Sequence, residues 1–485
     1  MEHVQDNQGL NTAPLPESPR RVHLMGICGT GMGSLAGMFH RTGCIVTGSD
    51  EGVYPPMSVF LAEKGIKVTE KYGPGNLTPK PDLVVVGNVI RRTNPEARAL
   101  EMSGIPFASM PAALNTYFTR DKKRIVVTGT HGKTTVSAMI AWILYKENLD
   151  PGFMIGGLIR GFETNHRLGT GKFFVIEGDE YDTAYFDKRP KFLHYQPDIA
   201  VVTSCEFDHG DIYASLEEIQ DRFRDFVRLV PSRGHLIACA EHSSVRGLCA
   251  DLNGRVVTYG NDPGMEWFAG DADFTPLGMK TTIVHRGRPA AAGTIPLFGF
   301  HNIANALAAI AATDAAGIDP QKAVDALGSF QGVHRRQEVV GDAGGILVID
   351  DFAHHPTAVK ETCRGVRLRY PTARLVAVFE PRTNTSRRSF FQEAYVPAFL
   401  DADLIVLREP RDPEKFPEGD RFSSARVASD LNSRGKRAHA FDGTDDILHF
   451  LYGELREGDV VLVMSNGSFD GIGRRLPAGL KERRQ

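Results

Sequence analysis

The feature that most constrains this chain is the run Ile125-Val126-Val127-Thr128-Gly129-Thr130-His131-Gly132-Lys133-Thr134-Thr135. An apolar strand enters a tight glycine-containing loop that opens into a helix, and such a junction aims several backbone N–H groups at one point, where phosphate binds. Lys133 can reach the β- and γ-phosphates as a charge clamp, and the hydroxyl of Thr134 or Thr135 can hold Mg2+. Val127 stands where the general G-x-x-x-x-G-K-[ST] motif has its first glycine, so the loop is a shortened variant. Apolar strands alternating with helical stretches on both sides of it argue for α/β architecture with parallel sheets.

A chain of 485 residues exceeds one ordinary core, and about three domains are expected. Residues 1–20, with Asn, Gln, Glu and three prolines, read as a disordered tail. The first domain, 21–118, opens with a strand at 22–25 that runs into the glycine turn 26–33 and a helix at 34–39; further strands fall at 44–47 and 83–86, the latter ending at Gly87-Asn88. The second, 119–331, carries the phosphate loop, strands at 125–127, 173–176 and 199–203, a β-rich stretch over 233–300 and an Ala-rich helix over 303–316. The third, 332–485, has strands at 346–349, 375–379, 404–407 and 460–464 with helical stretches between. Each strand ends in a polar or glycine-rich cluster, where ligands sit in parallel sheets.

Composition excludes several function classes. A net charge of −3 gives no basic footprint for nucleic acid. No apolar run is long enough to span a bilayer, and the first twenty residues lack the apolar core of a secretory signal, so a membrane partner is not expected. The six cysteines are scattered without C-x-x-C spacing, which suits reduced thiols in the cytoplasm.

Other clusters carry chemistry. The turn 26–33 reads G-x-x-G-x-G, a second anion site, and Asp50 at the end of the next strand can accept from a ribose hydroxyl. Glu177-Gly178-Asp179-Glu180-Tyr181-Asp182 follows one strand, and Glu206-Phe207-Asp208-His209 follows another. Their oxygens suit Mg2+, and an imidazole is a tolerable extra ligand beside a second ion; any single acid there reads first as a solvated one, and the nearby phosphate loop is what raises Glu177 and His209 above that. His301-Asn302-Ile303-Ala304-Asn305 offers amides that could read an adenine edge, or Asn302 could cap the helix. Asp350-Asp351-Phe352-Ala353-His354-His355-Pro356 places paired histidines after a strand, open to acid/base, metal or structural roles.

Together, these motifs resemble the Mur ligase family, which joins amino acids or peptides to a UDP-N-acetylmuramyl carboxylate; the resemblance runs over residues 21–475. It rests on the segments 26–33, 129–135, 177–182, 207–209, 301–310 and 350–357, in that order. It implies a Rossmann-like N-terminal domain for the UDP-sugar, a P-loop ATPase central domain and a Rossmann-like C-terminal domain for the incoming amine, with ATP and Mg2+ as cofactors. Catalytic roles are implied for Lys133, Glu177 and His209, and metal binding for Thr134, Glu177 and His209. ATP would be held by Gly129, Thr130, His131, Gly132, Lys133, Thr134, Thr135, His301, Asn302, Asn305, Arg336 and Asp351. The UDP-sugar would meet Gly29, Thr30, Gly31, Met32, Asp50 and Asn88, and the amine substrate His354, His355, Arg382, Thr383, Asn384, Ser465 and Asn466.

Other members carry a carbamylated lysine beyond the histidine, where this chain has Arg222 and Arg224 and no lysine; that departure fits the muramate-activating branch. Within the branch, Cys28 and the segments 49–58, 186–189, 380–385 and 464–469 resemble the enzymes that attach the murein tripeptide L-Ala-γ-D-Glu-meso-diaminopimelate to UDP-N-acetylmuramate in cell-wall recycling. The alternative is the ligase that adds L-alanine to the same sugar. Asp470 departs from the glycine usual in the tripeptide branch. Two readings of other classes are a nicotinamide-dependent oxidoreductase built on the 26–33 loop and a non-catalytic nucleotide-binding protein. The first explains neither the 129–135 loop nor the 301–310 helix, and substrate-dependent ADP release would exclude the second.

Overall fold

The computed structural model describes residues 13–54, 57–208, 210, 212–252 and 255–483. Three α/β units follow one another. The first is a five-stranded parallel sheet of β1 (Arg21–Met25), β2 (Ile45–Ser49), β3 (Lys67–Thr69), β4 (Leu83–Val86) and β5 (Phe107–Ser109), in the order β3-β2-β1-β4-β5. The helix after β1 spans Thr30–Arg41 and so begins inside the glycine turn, four residues before the expected start. The expected tail is corrected at its C-terminal end: residues 16–20 lie on this unit. Tyr117 Oη donates to Pro16 O at 2.8 Å, and Arg20 N and Arg21 N both donate to Asp82 Oδ2, at 2.8 and 2.9 Å. Residues 1–12 lie outside the described residues.

The central sheet has ten strands: β6 (Lys123–Thr128), β7 (Gly152–Ile159), β8 (Thr164–Arg167), β9 (Phe173–Glu177), β12 (Ile199–Val202), β13 (His235–Cys239), β14 (Arg255–Gly260), β15 (Trp267–Thr275), β16 (Gly278–His285) and β17 (Arg288–Ile295). A separate two-stranded hairpin is formed by β10 (Asp182–Ala184) and β11 (Asp187–Pro190). The sheet order is β17-β16-β15-β14-β13-β12-β6-β9-β7-β8, so β6 lies between β12 and β9, with all three parallel. That order brings the loops after β9 and β12 to either side of the phosphate loop after β6. Val127, where the longer motif has glycine, is a strand residue in register with Glu177 and Val201, and it is fully buried.

The third sheet runs β18 (Glu338–Ala343), β19 (Ile346–Asp351), β23 (Val460–Met464), β20 (Leu375–Phe379), β21 (Leu404–Arg408) and β22 (Arg437–Phe441), parallel except for β18.

Side chains alternate across each sheet, as the two-residue period of a strand dictates. Ile125 and Val127 enter one core with the helix Lys133–Lys146 and the Ala-rich helix Phe300–Ala315; Val126 enters another. That second core also holds Val22, Leu24 and Val85, so the first unit shares its packing with the central one. In the third unit Leu375, Ala377 and Phe379 face one core, and Val376 and Val378 the other. Strands covered on both faces read as continuous apolar runs, which is why they were legible in the sequence.

Candidate functional site

The phosphate loop keeps its shape because two glycines do what other residues cannot. Gly129 has φ +131° and Gly132 φ +81°, and a Cβ at Gly129 would sit 2.2 Å from Thr203 Oγ1. A Cβ at Gly132 would sit 2.5 Å from Asn305 Oδ1, which places Asn305 against the loop. Thr130 and His131 are fastened to the loop after β12: Glu206 N donates to Thr130 Oγ1 at 2.8 Å and His131 N to Ser204 Oγ at 2.9 Å.

Lys133 Nζ points inward and pairs with Glu180 Oε1 at 2.8 Å. Burial alone would lower the ammonium, but the charge and hydrogen bond of Glu180, with Glu177 and Asp179 beyond, hold it above its usual value. Thr134 Oγ1 donates to Glu177 Oε1 at 2.9 Å, and Gly156 N donates to the other carboxylate oxygen at 2.6 Å. Gly156 is required there, since a Cβ would lie 2.9 Å from Glu177 Oε1. Burial pushes the Glu177 carboxyl up, and its hydrogen bonds with Gly156 and Thr134 and the charges of Lys133 and Arg336 only partly oppose it. A buried hydroxyl and a carboxylate short of positive charge form a hard-oxygen donor pair that fits Mg2+. Thr135 is buried at the start of the helix. His209 lies outside the described residues.

The described residues on either side of it are gripped by the third unit. Gly210 N donates to Thr385 Oγ1 at 3.2 Å, Arg388 Nη1 donates to Gly210 O at 3.2 Å, and the rings of Phe207 and Phe390 meet at 4.8 Å. Arg388 also holds Asp420 Oδ2 at 2.7 Å. If this grip orients the loop for metal binding, Arg388→Ala raises the Mg2+ concentration needed for half-maximal ADP release by about 10-fold, the lower end for groups that orient metal ligands. A magnesium titration superimposable on wild type would separate the loop from the metal.

Near the nucleotide, Arg336 Nη2 lies 3.5 Å from Thr134 Oγ1, and Asp351 accepts from Gln337 N at 2.8 Å and Ala353 N at 2.7 Å. Asn302 does not cap its helix: Gly299 does, and the Asn302 amide donates to Phe298 O at 2.8 Å while its oxygen takes Asn305 Nδ2 at 3.1 Å. His301 Nδ1 is buried without a hydrogen-bond partner and stays available.

In the first unit Asp50 is already engaged, accepting from Cys28 N at 2.8 Å and Gly52 N at 2.9 Å. It buckles the 26–33 loop to the next one, where a free ribose acceptor was expected. Gly29 is the N-cap residue of the helix Thr30–Arg41, and by helix geometry the N–H groups of Thr30, Gly31 and Met32 point out of its first turn. The Met32 side chain is buried, so only its backbone faces that side. Asn88 lies half-buried in the turn after β4.

At the ends of the third sheet, Arg382 lies across Gly467, where an added Cβ would come within 2.4 Å of it. Asn466 Oδ1 is buried without a partner. Ser465 and Thr383 build the loops: Ser465 Oγ donates to Glu380 Oε2 at 2.7 Å and Thr383 Oγ1 to Ser386 Oγ at 2.8 Å. Asn384 Oδ1 accepts from Arg387 at 2.9 Å. His354 Nδ1 donates to Phe352 O at 3.1 Å, and His355 is the N-cap residue of the helix Pro356–Arg369.

Residues that sequence reasoning passed over are also here. Arg408 is buried between Glu380 at 3.2 Å, Thr444 at 2.9 Å and Asp470 at 2.8 Å, and Arg411 reaches the other Asp470 oxygen. Asp470 has φ +49°, a conformation that favours glycine, and these two arginines hold the aspartate in it. Arg222 and Arg224 pair with Asp225 and Asp221 of their own helix. Neither is spare as a ligand.

Matches to the Mur ligase family, catalytic domain, cover residues 21–121, to the Mur ligase middle domain 127–313, and to the Mur ligase, glutamate ligase domain 335–467. An Escherichia coli protein named UDP-N-acetylmuramate–L-alanyl-γ-D-glutamyl-meso-2,6-diaminoheptandioate ligase is 39% identical over 96% of this chain and 99% of its own. The chain belongs to the Mur ligase family. Within that family, a UDP-N-acetylmuramate–L-alanine ligase of Acetivibrio thermocellus is 32% identical over 94% of this chain and 96% of its own. Among solved Mur ligases, a murein peptide ligase from Psychrobacter arcticus superposes with a TM-score of 0.70 at 35% identity, over 95% of this chain and 99% of that one. A UDP-N-acetylmuramate–alanine ligase from Thermotoga maritima gives 0.77 at 25% identity, over 96% and 99%. Backbone shape does not separate the two branches; sequence identity does. No described helix of this Mur ligase is long and apolar enough to cross a membrane.

Burial holds His166, His301 and His355 well below the usual imidazole value, each to about 4. The unfolded chain takes up these protons as pH falls through about 6.5, the folded protein only near the lowered values, so stability drops on acidification across that window. Thermal melts at about pH 7 and about pH 5 are expected to show the lower Tm at the acid pH. Equal melts would show that the three rings are not buried neutral.

Proposed function

We propose that this chain joins the tripeptide L-Ala-γ-D-Glu-meso-diaminopimelate to the lactyl carboxylate of UDP-N-acetylmuramate, with ATP converted to ADP and phosphate, in the cytoplasm. The observation that carries the reading is the end-to-end similarity to ligases named for that tripeptide, at 39% identity against 32% for the L-alanine ligase. The arrangement of residues supports it. The carboxylate attacks the γ-phosphorus of ATP, the bond to the β-phosphate oxygen breaks, and an acyl phosphate forms. The tripeptide amine then attacks the acyl carbon, loses a proton and expels phosphate.

Lys133 stabilises charge on the transferred phosphoryl group, and the loop N–H groups hold the phosphates in line. Thr134 and Glu177, with His209, would hold Mg2+, which supplies further neutralisation of phosphate charge. Arg382 offers a cation at the sheet end where a peptide with several carboxylates would sit. An L-alanine site needs to hold only one carboxylate.

ADP release from the purified protein with Mg2+, ATP and UDP-N-acetylmuramate is the test, with either the tripeptide or L-alanine as the amine. Release with the tripeptide alone supports the proposal. Equal or faster release with L-alanine overturns it in favour of the alanine-adding reaction.

A further inference from the structure

Where the central and third units meet, three side chains from distant parts of the chain converge. His131 comes from the phosphate loop, Glu206 from the loop after β12 and His355 from the start of the helix Pro356–Arg369. One ligand atom from each lies within 4.8 Å of the others. Glu206 Oε2 is 3.5 Å from His131 Nε2 and 3.9 Å from His355 Nδ1. The two rings are 4.7 Å apart, tilted by 47°.

The hydrogen bonds assign the lone pairs. His355 Nε2 lies 3.3 Å from the carbonyl of Phe207, which can only accept, so the ring proton is on Nε2 and the lone pair on Nδ1. That lone pair takes Thr357 N at 3.2 Å. His131 Nε2 is buried and has no hydrogen-bond partner, its contact with Glu206 being out of line. Such an orphaned ring nitrogen is costly unless something binds it. Thr357 Oγ1 donates to Glu206 Oε2 at 2.7 Å and steadies the carboxylate, and Asp208 adds negative charge toward His355. Glu206 is held anionic, its pKa lowered to about 2: burial alone would raise it, and His131, Thr357 and His355 outweigh that.

We propose that His131, Glu206 and His355 form a site for a transition-metal dication, Zn2+ fitting best, and that the ion staples the phosphate loop to the third unit. Two imidazoles and one carboxylate suit Zn2+ and disfavour Mg2+, which demands oxygen ligands. At zinc bond lengths of about 2.0–2.1 Å, tetrahedral ligand atoms are about 3.3 Å apart, so the two contacts to Glu206 need only a small contraction. Side-chain rotation supplies it, with Thr357 N released from His355 Nδ1. The site shares no ligand with Thr134 and Glu177. Because His131 and Glu206 sit on one unit and His355 on another, the bound ion holds the two units together.

Cobalt reports the site directly, since Co2+ takes the same ligands and absorbs in the visible. The full-length protein is titrated with Co2+ in the presence of excess Mg2+, and Zn2+ is then added. The expected result is one saturable equivalent whose visible band Zn2+ abolishes, retained in Glu177→Gln and weakened at least 10-fold in Glu206→Gln and in His355→Asn, which keeps a helix-capping side chain. Circular dichroism verifies that each variant is folded; should His355→Asn fail to fold, Glu206→Gln decides alone. Absence of a one-to-one band, displacement by Mg2+, loss in Glu177→Gln, or full retention in a folded Glu206→Gln variant would each overturn the proposal.

Discussion

Lys133→Ala is expected to cut ligation by at least about 10³-fold, the scale on which cations at a transferring phosphoryl group act. It is also expected to lower the melting temperature. Glu180 is buried and Lys133 largely so, with the ammonium 2.8 Å from the carboxylate, and removing the lysine strands the buried acid. Breaking a buried pair in this way costs about 3–5 kcal/mol. The double variant Lys133→Ala, Glu180→Gln removes the stranded charge, so most of the stability returns while activity does not. The two variants separate chemistry from folding. Near-normal turnover by a well-folded single variant would remove the phosphate clamp from the mechanism; a single variant that melts like wild type would show that Glu180 does not depend on Lys133.

Glu177→Gln should act in the opposite direction on stability. Burial raises the Glu177 carboxyl in the folded protein, so between the unfolded and folded values the native state binds the extra proton and stability falls as pH rises through that window. At neutral pH the charged Glu177 therefore weighs against folding, and the isosteric amide, whose oxygen accepts from Gly156 N while its NH2 donates to the Thr134 hydroxyl, holds or raises the melting temperature. Activity is expected to fall by about 10²–10³-fold, as when one preorganised electrostatic group is lost. A drop in melting temperature together with retained activity would show that Glu177 is a structural acid. The same tension, a desolvated charge only partly compensated by its neighbours, is what a metal-binding carboxylate looks like before its ion arrives.

Part of this site was legible because local sequence dictates it. A buried parallel strand is an apolar run, and a phosphate loop needs glycines at fixed places, so β6, β9, β12, β19, β20, β21 and β23 and the loop at Gly129 and Gly132 could be read directly. β7 could not, because Gly152, Gly156 and Gly157 erase the strand signal. The reason lies elsewhere in the chain: Gly156 makes room for the Glu177 carboxylate. The edge strand β22, Arg-Ala-His-Ala-Phe, has too few apolar positions to stand out.

What each polar residue does was harder to read, since it depends on neighbours far along the chain. Asp50 looked free to meet a ribose and is taken by Cys28 N; Asn302 looked like a cap and serves Phe298 and Asn305. Glu180, Glu206 and Arg388 sat in view without a distinctive pattern, and each acquires its role from a partner at the phosphate loop or in another unit.

The sequence by itself determined the α/β architecture, the phosphate-binding turn and the family, because strand periodicity, glycine backbone freedom and ordered motifs are properties of short segments. Only the tertiary structure decided which donors and acceptors are already satisfied and which remain for a ligand. A hydrogen bond requires approach to about 3 Å, and the approaches that matter here join Lys133 to Glu180, Thr134 to Glu177, and Thr357 to Glu206, across 43 to 151 residues of chain.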